Sequence, residues 1–188
     1  QGAGDGTFAA QSSIKPVRLS FTSMAVADVD ADGKLDLAGI DDKSGKGQLL
    51  FGRGDGTLLT APESLLRDYV ASGDFNGDGV TDLASATVLS NVANISLGSG
   101  DGSFKQSSAY YPLDKGPSAI ATGDFNGDGK ADLAVTLYDD STVGILLSQG
   151  GKFSSPSYLR AGAGPHGVVA ADFNGDSKAD IVVTDPDG

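Results

Sequence analysis

The chain has 188 residues and no cysteine, which excludes a disulfide framework and thiol chemistry. Its formal charge of −12 comes from Asp, with a single Glu63, and an acidic surface opposes nucleic acid, whose partners carry a basic face. No run of eighteen apolar residues is present to insert into a membrane, and the start, Gln1-Gly-Ala-Gly4, lacks a signal-peptide pattern, so any export signal is expected to have been removed or left out.

In chain order, the first marker is Gly2-Ala-Gly-Asp-Gly-Thr-Phe8, whose Asp-Gly pair is a hairpin turn signal. The first acidic loop follows, Asp28-Val-Asp-Ala-Asp-Gly-Lys-Leu-Asp36, leading at once into Leu37-Ala38. Both features then recur in step. The marker returns at Gly52 to Leu58 and Gly98 to Phe104, and in degraded form as Gln149-Gly-Gly-Lys-Phe153. The acidic loop returns at Asp74, Asp124 and Asp172, at intervals of 46, 50 and 48 residues, the size range of propeller blades. Strand-like runs precede the markers, such as Gln48 to Phe51 and Val143 to Leu147, and further extended stretches follow them, such as Thr57 to Thr60. Few positions show helical periodicity, so the chain reads as all-β.

Each loop has the form D-x-[DN]-x-D-[GS]-x-x-D. Calcium takes six to eight hard oxygen ligands, and alternate positions 1, 3 and 5 of a tight loop turn their side chains inward together. The expected ligands are Asp28, Asp30, Asp32 and Asp36 in loop one, and Asp74, Asn76, Asp78 and Asp82 in loop two. Loop three offers Asp124, Asn126, Asp128 and Asp132, and loop four Asp172, Asn174, Asp176 and Asp180. The backbone carbonyls of Lys34, Val80, Lys130 and Lys178 would complete the shells, and the sixth-position glycine can take the positive φ that turns the chain round an ion. Position twelve is Gly39, Ser85, Val135 or Val183, so the bidentate Glu of an EF-hand is missing. Asp-Gly and Asn-Gly also make plain hairpin turns, but turn chemistry does not require a further Asp three residues past the glycine. Thirteen Asp occupy proposed ligand positions, and four calcium ions would reduce the charge from −12 to −4.

With these loops the sequence resembles the FG-GAP or VCBS repeats of integrin-α-like β-propellers, over essentially its whole length. The resemblance implies blades of four antiparallel strands, with the calcium loop between the first and second. It implies one domain over 1–188, with repeats near 15–61, 62–108, 109–157 and 158–188, and residues 1–14 completing another blade. In the third repeat the expected strands are Ser118 to Gly123, Asp132 to Tyr138, Thr142 to Leu147 and Lys152 to Ser157. The chain begins and ends inside a blade, so it fits part of a larger ring, a small ring closed by its N-terminal strand, or an assembly in which another chain supplies the missing strand.

The resemblance also implies that the face opposite the calcium loops binds ligands. Carried over, its variable segments are Asp41 to Lys46, Ser85 to Asn94, Tyr138 to Thr142 and Asp185 to Gly188. The connections into the next blade are Pro62 to Tyr69, Tyr110 to Ser118 and Tyr158 to His166. The expected partners are protein or glycan, with self-association through open blade edges as the alternative, and the expected setting is secreted or cell-surface. Tyr110, Tyr111, Tyr138 and Tyr158 could stack on sugars or pack strands. His166, the single histidine, reads as an exposed loop residue. Arg53-Gly54-Asp55 reads as one variable residue before a turn, and Asn94-Ile-Ser96 as a glycosylation sequon. No catalytic triad, phosphate loop, dinucleotide fingerprint or zinc cluster is present, so no catalytic or organic-cofactor residue is assigned; a calcium-dependent polysaccharide lyase or hydrolase is the weakest expectation. Among the loops, the four carboxylates of loop one predict the tightest binding, and Ser177, in place of glycine, predicts that loop four empties first.

Overall fold

A computed structural model describes residues 6–7, 20–61 and 67–185; residues 1–5, 8–19, 62–66 and 186–188, which figured in the sequence expectations, lie outside the described residues. The described residues form fifteen strands and no helix. The first sheet is β1 (Phe21–Ala27), β2 (Asp36–Asp41), β3 (Gly47–Gly52) and β4 (Leu58–Thr60), antiparallel and in chain order. The second repeats that order with β5 (Tyr69–Gly73), β6 (Asp82–Thr87), β7 (Val92–Gly98) and β8 (Phe104–Gln106), and the short β9 (Tyr111–Pro112) also pairs with β7. The third is β10 (Pro117–Gly123), β11 (Asp132–Leu137), β12 (Thr142–Leu146) and β13 (Ser157–Arg160). A two-stranded sheet, β14 (Gly167–Ala171) with β15 (Asp180–Thr184), begins a fourth blade.

The first strands line up in succession, β1 against β5, β5 against β10 and β10 against β14. Side-chain hydroxyls stitch them together: Val70 N–H donates to Ser23 Oγ at 3.0 Å, and Thr122 Oγ1 donates to the Ser72 carbonyl at 2.9 Å. Small residues such as Ala71, Ala121 and Gly73 let these strands approach, as expected for the crowded centre of a propeller.

Hydrophobic cores lie between blades, because each sheet is apolar on both faces and covers one with its neighbour. Val29, Ala38, Ile40 and Leu49 of the first blade pack on Val70 and Leu83 of the second. Ala84, Ala93 and Ile95 of the second pack on Leu133, Val135 and Leu146 of the third, with Phe75, Phe153 and Tyr111 edge to face at 5.2 and 5.3 Å.

One strand differs from expectation. The outer strand of the third blade is Ser157–Arg160, not Lys152 to Ser157; the segment after the turn keeps only an isolated bridge, Ser148 to Phe153. Ser154 exchanges bonds with Leu147, through its backbone N–H and its Oγ, and Pro156 has no N–H to continue the ladder. Pairing therefore resumes further along, at the level that β9 occupies in the second blade.

Candidate metal centre

In an antiparallel blade the first and third connections share one end of the sheet and the second lies at the other. The acidic loops and the Gly-Asp-Gly turns therefore crowd one end. All four loops fold alike. The first Asp accepts backbone N–H groups: Asp28 from Asp32 (3.2 Å) and Gly33 (2.9 Å), Asp74 from Asp78 (3.2 Å) and Gly79 (2.8 Å). Asp124 does so from Asp128 (3.1 Å) and Gly129 (2.8 Å), and Asp172 from Asp176 (3.2 Å) and Ser177 (2.9 Å). The N–H groups of Lys34, Val80, Lys130 and Lys178 then donate to Asp32, Asp78, Asp128 and Asp176 at 2.8–2.9 Å, which reverses the chain.

The ninth-position Asp does more than its place in the motif indicates. Asp36, Asp82 and Asp132 are fully buried, and each carboxylate holds two backbone N–H groups from different elements. Asp36 takes Val29 and Gly52, Asp82 takes Phe75 and Gly98, and Asp132 takes Phe125 and Ser148, at 2.7–3.0 Å. Asp180 accepts from Phe173 at 3.0 Å and is half-buried. Burial raises the pKa of Asp82 and of Asp132, against the lowering pull of those N–H donors, and Asp78 with Asp74, or Asp128 with Asp124, adds like charge. The Ser177 N–H, with that of Gly175, lowers the pKa of exposed Asp172.

Those bonds explain why the two sequence markers keep step. The first glycine of the marker is the second donor: Gly52 sits on Asp36 and Gly98 on Asp82. A Cβ at Gly52 would lie 2.1 Å from the Leu35 carbonyl oxygen, and one at Gly98 2.2 Å from that of Thr81. The glycines are a structural part of the acidic loop that spacing alone did not reveal.

Loop one brings the ligand atoms of Asp28, Asp30 and Asp36 within 4.8 Å of one another. Loss of water raises the pKa of Asp30, and the charges of Asp36, Asp32 and Asp28 raise it further. Asp32 stands apart from that triad and is paired with the Lys34 ammonium, whose hydrogen bond holds its carboxyl down. In loop three Lys130 reaches Asp128 at 3.4 Å. Asn76, Asn126 and Asn174 turn Oδ1 to the N–H two residues on and Nδ2 to the fifth-position carboxylate. The donors are all oxygen, the carboxylates converge and one member is buried, a set that suits a hard divalent cation such as calcium.

Two positions per loop take positive φ. At the sixth they are Gly33 (82°), Gly79 (81°), Gly129 (82°) and Ser177 (68°); at the fourth, Ala31 (56°), Gly77 (80°), Gly127 (79°) and Gly175 (83°). The strain expected at Ser177 is matched by strain at Ala31, which the motif hid behind an x. The predicted difference between loops one and four therefore rests on the added carboxylate, Asp30, alone.

At the other end of the blades the expected variable segments shorten, since Ser85–Thr87, Val92–Asn94, Tyr111–Pro112 and Tyr158–Arg160 belong to strands. Asn94 is buried in the middle of β7, so the sequon is a core position and not an accessible acceptor. Tyr111 is core, and Tyr158 accepts from Asp114 N–H at 3.1 Å. Tyr138 packs on the exposed His166, ring centroids 4.9 Å apart, while Tyr110 projects outward. Arg53 to Thr57 forms a turn in which Asp55 accepts from Thr57, a geometry repeated by Asp101 and Ser103, so Gly-Asp belongs to the turn.

The profile of the FG-GAP-like repeat family matches residues 28–85, 74–135 and 124–183, each window opening on one acidic loop and closing just past the next. No curated protein sequence matches the chain. Among solved structures it is similar to a protein from Lactobacillus plantarum, at TM-score 0.56 and 20% identity over 79% of this chain and 45% of that one. The Photorhabdus luminescens Tc holotoxin pore aligns at TM-score 0.47 and 19% identity, over 92% of this chain and 9% of that one. The V. cholerae biofilm matrix protein Bap1 aligns at 0.45 and 20%, over 88% and 28%. The chain thus spans less than half the length of each of these structures. Its loops, its successive four-stranded sheets and a profile match running from residue 28 to 183 lead to one assignment: the chain belongs to the FG-GAP-like repeat family, with a β-propeller-like fold.

Proposed function

We propose that the chain is an extracellular calcium-binding propeller module that recognises protein or glycan, with structural ions and no chemistry of its own. The observation that carries the metal is the acidic triad Asp28, Asp30 and Asp36, built on a loop geometry that occurs four times. Asp28, Asp30, Asp32 and Asp36 would hold the first ion with the Lys34 carbonyl, and the matching residues of the other loops three more. A bound ion would neutralise carboxylates whose burial opposes their charge, and so clamp the first two strands of each blade together. Millimolar calcium outside cells suits exposed loops of this kind.

Recognition is assigned to the opposite end, where 88–91, 138–141 and 161–166 differ between repeats on a rigid scaffold. The exposed rings of Tyr110, Tyr138 and His166 are the contacts it offers. The test is a glycan and protein array probed in millimolar calcium and again in chelator. Binding that disappears in Tyr138→Ala, while calcium uptake is unchanged, supports the reading. Binding that survives changes throughout these loops removes it.

A further inference from the structure

Three of the four loops carry a pair whose covalent chemistry the metal reading leaves unused: Asn76-Gly77, Asn126-Gly127 and Asn174-Gly175, at the third and fourth positions. Asparagine is a labile side chain, and most so before glycine, whose nitrogen no Cβ shields. That nitrogen attacks Cγ of the asparagine, its proton leaves with the side-chain nitrogen as ammonia, and a five-membered imide remains. Water then opens the ring: cleavage at Cγ leaves Asp, and cleavage at the main-chain carbonyl leaves isoaspartate. Nothing is oxidised or reduced, and water is the one co-reactant. The other asparagines, Asn91 and Asn94, precede branched Val92 and Ile95 and are far slower by the same argument.

In the fold the attacking atom is withheld. Gly77 N–H donates to Asp74 Oδ1 at 2.7 Å, Gly127 N–H to Asp124 Oδ1 at 2.7 Å and Gly175 N–H to Asp172 Oδ1 at 2.6 Å. A carboxylate that accepts this N–H holds the proton that must leave and opposes negative charge on the nitrogen. The asparagine amide is pinned as well. Its Oδ1 accepts the N–H two residues on at 2.7–2.8 Å, and its Nδ2 donates to that residue's carboxylate at 2.8–3.3 Å. Gly77, Gly127 and Gly175 are themselves exposed, so water reaches the pair. We propose that Asn76, Asn126 and Asn174 are deamidation sites, and that the first-position Asp of each loop keeps its site shut while the loop is folded. Local opening of a loop starts the conversion. Asp at the third position reproduces the composition of loop one, whose Asp30-Ala31 has no amide to lose. Isoaspartate instead adds a main-chain carbon and puts positions 1, 3 and 5 out of step. The inference concerns the loops' own covalent chemistry and depends on neither the calcium reading nor the recognition reading.

The experiment follows ammonia loss by peptide mapping and mass spectrometry in mildly alkaline buffer with chelator throughout, so that bound metal plays no part in the outcome. Asn76 and Asn126 of the folded wild type are expected to convert at least about tenfold more slowly than in the same chain unfolded in urea. Asp74→Ala removes the acceptor of Gly77 N–H and is expected to bring Asn76 close to the unfolded rate, while Asn126, in the next loop, stays slow. Should Asp74→Ala unfold the chain, Asn126 accelerates with it, and Asp74→Ser, which keeps a neutral acceptor, decides. Acceleration at Asn76 alone in that variant supports the proposal, and none overturns it. Equal rates in folded and unfolded wild type also overturn it. So does a slower Asn76 in Asp74→Ala, which would make the carboxylate a base that promotes the attack.

Discussion

The ninth-position Asp separates the proposed metal binding from architecture within a single loop. Asp132 → Ala would strand the Phe125 and Ser148 N–H groups in a dry site, at a cost of about 2–4 kcal/mol even without metal. Asp128 → Ala, at a largely exposed position, should lower calcium affinity while changing metal-free stability by under about 1 kcal/mol. Denaturant unfolding in chelator reads both, and equal losses would refute the division of labour. Backbone strain provides a second test at this scale. Ala31 → Gly and Ser177 → Gly each remove a Cβ from left-handed backbone, a relief of about 1–2 kcal/mol offset by the added freedom of glycine in the unfolded chain. Both should stabilise the protein by about 0.5–1 kcal/mol, and stabilisation of the Ser177 variant alone would contradict the observed loop geometry.

The elements show why some of the design was legible in the residues and some was not. Loop spacing and hairpin signals indicated the blades correctly, because the acidic-loop and turn residues bond to their own neighbours in sequence. The displaced strand Ser157–Arg160 escaped because its cause, the Ser154–Leu147 exchange ahead of Pro156, depends on which partner the chain finds. The buried sequon escaped because Asn94 looks polar in sequence and is covered only once β7 is sandwiched. The glycine of the marker was visible but its purpose was not, since Gly98 meets the Thr81 carbonyl only in the folded blade. Gly98 → Ala should accordingly cost about 2–3 kcal/mol, measured by denaturant unfolding; a neutral substitution would mean that the two markers are independent. Ser148 fills the equivalent place in the third blade, where the strand has already ended at Leu146. Adjacent loops are also joined across blades. The Asp74 carbonyl accepts Ala131 N–H at 2.9 Å and the Asp124 carbonyl accepts Ala179 N–H at 2.8 Å, while the Lys130 and Lys178 stems lie against Gly77 and Gly127. Disabling loop three by Asp124 → Ala should therefore weaken calcium binding at loops two and four about fivefold, with loop one unchanged, in a titration that resolves sites. Strictly independent sites would contradict that coupling.

For the whole molecule, acidity, repetition and blade packing form one argument. Most of the charge of −12 sits in Asp-rich loops that share one end of the sheets, and carboxylates about 5 Å apart repel by on the order of 3 kcal/mol at an effective dielectric near 20. Hydrophobic seams hold the blades together against that repulsion, and a divalent ion in each loop would turn it into attraction. The most direct test is calorimetric titration of chelator-stripped protein with calcium, together with its unfolding temperature at each step. The account predicts four ions per chain and an unfolding temperature that climbs as they bind. An absence of calcium uptake at millimolar concentration, with unfolding the same in calcium and chelator, would contradict it.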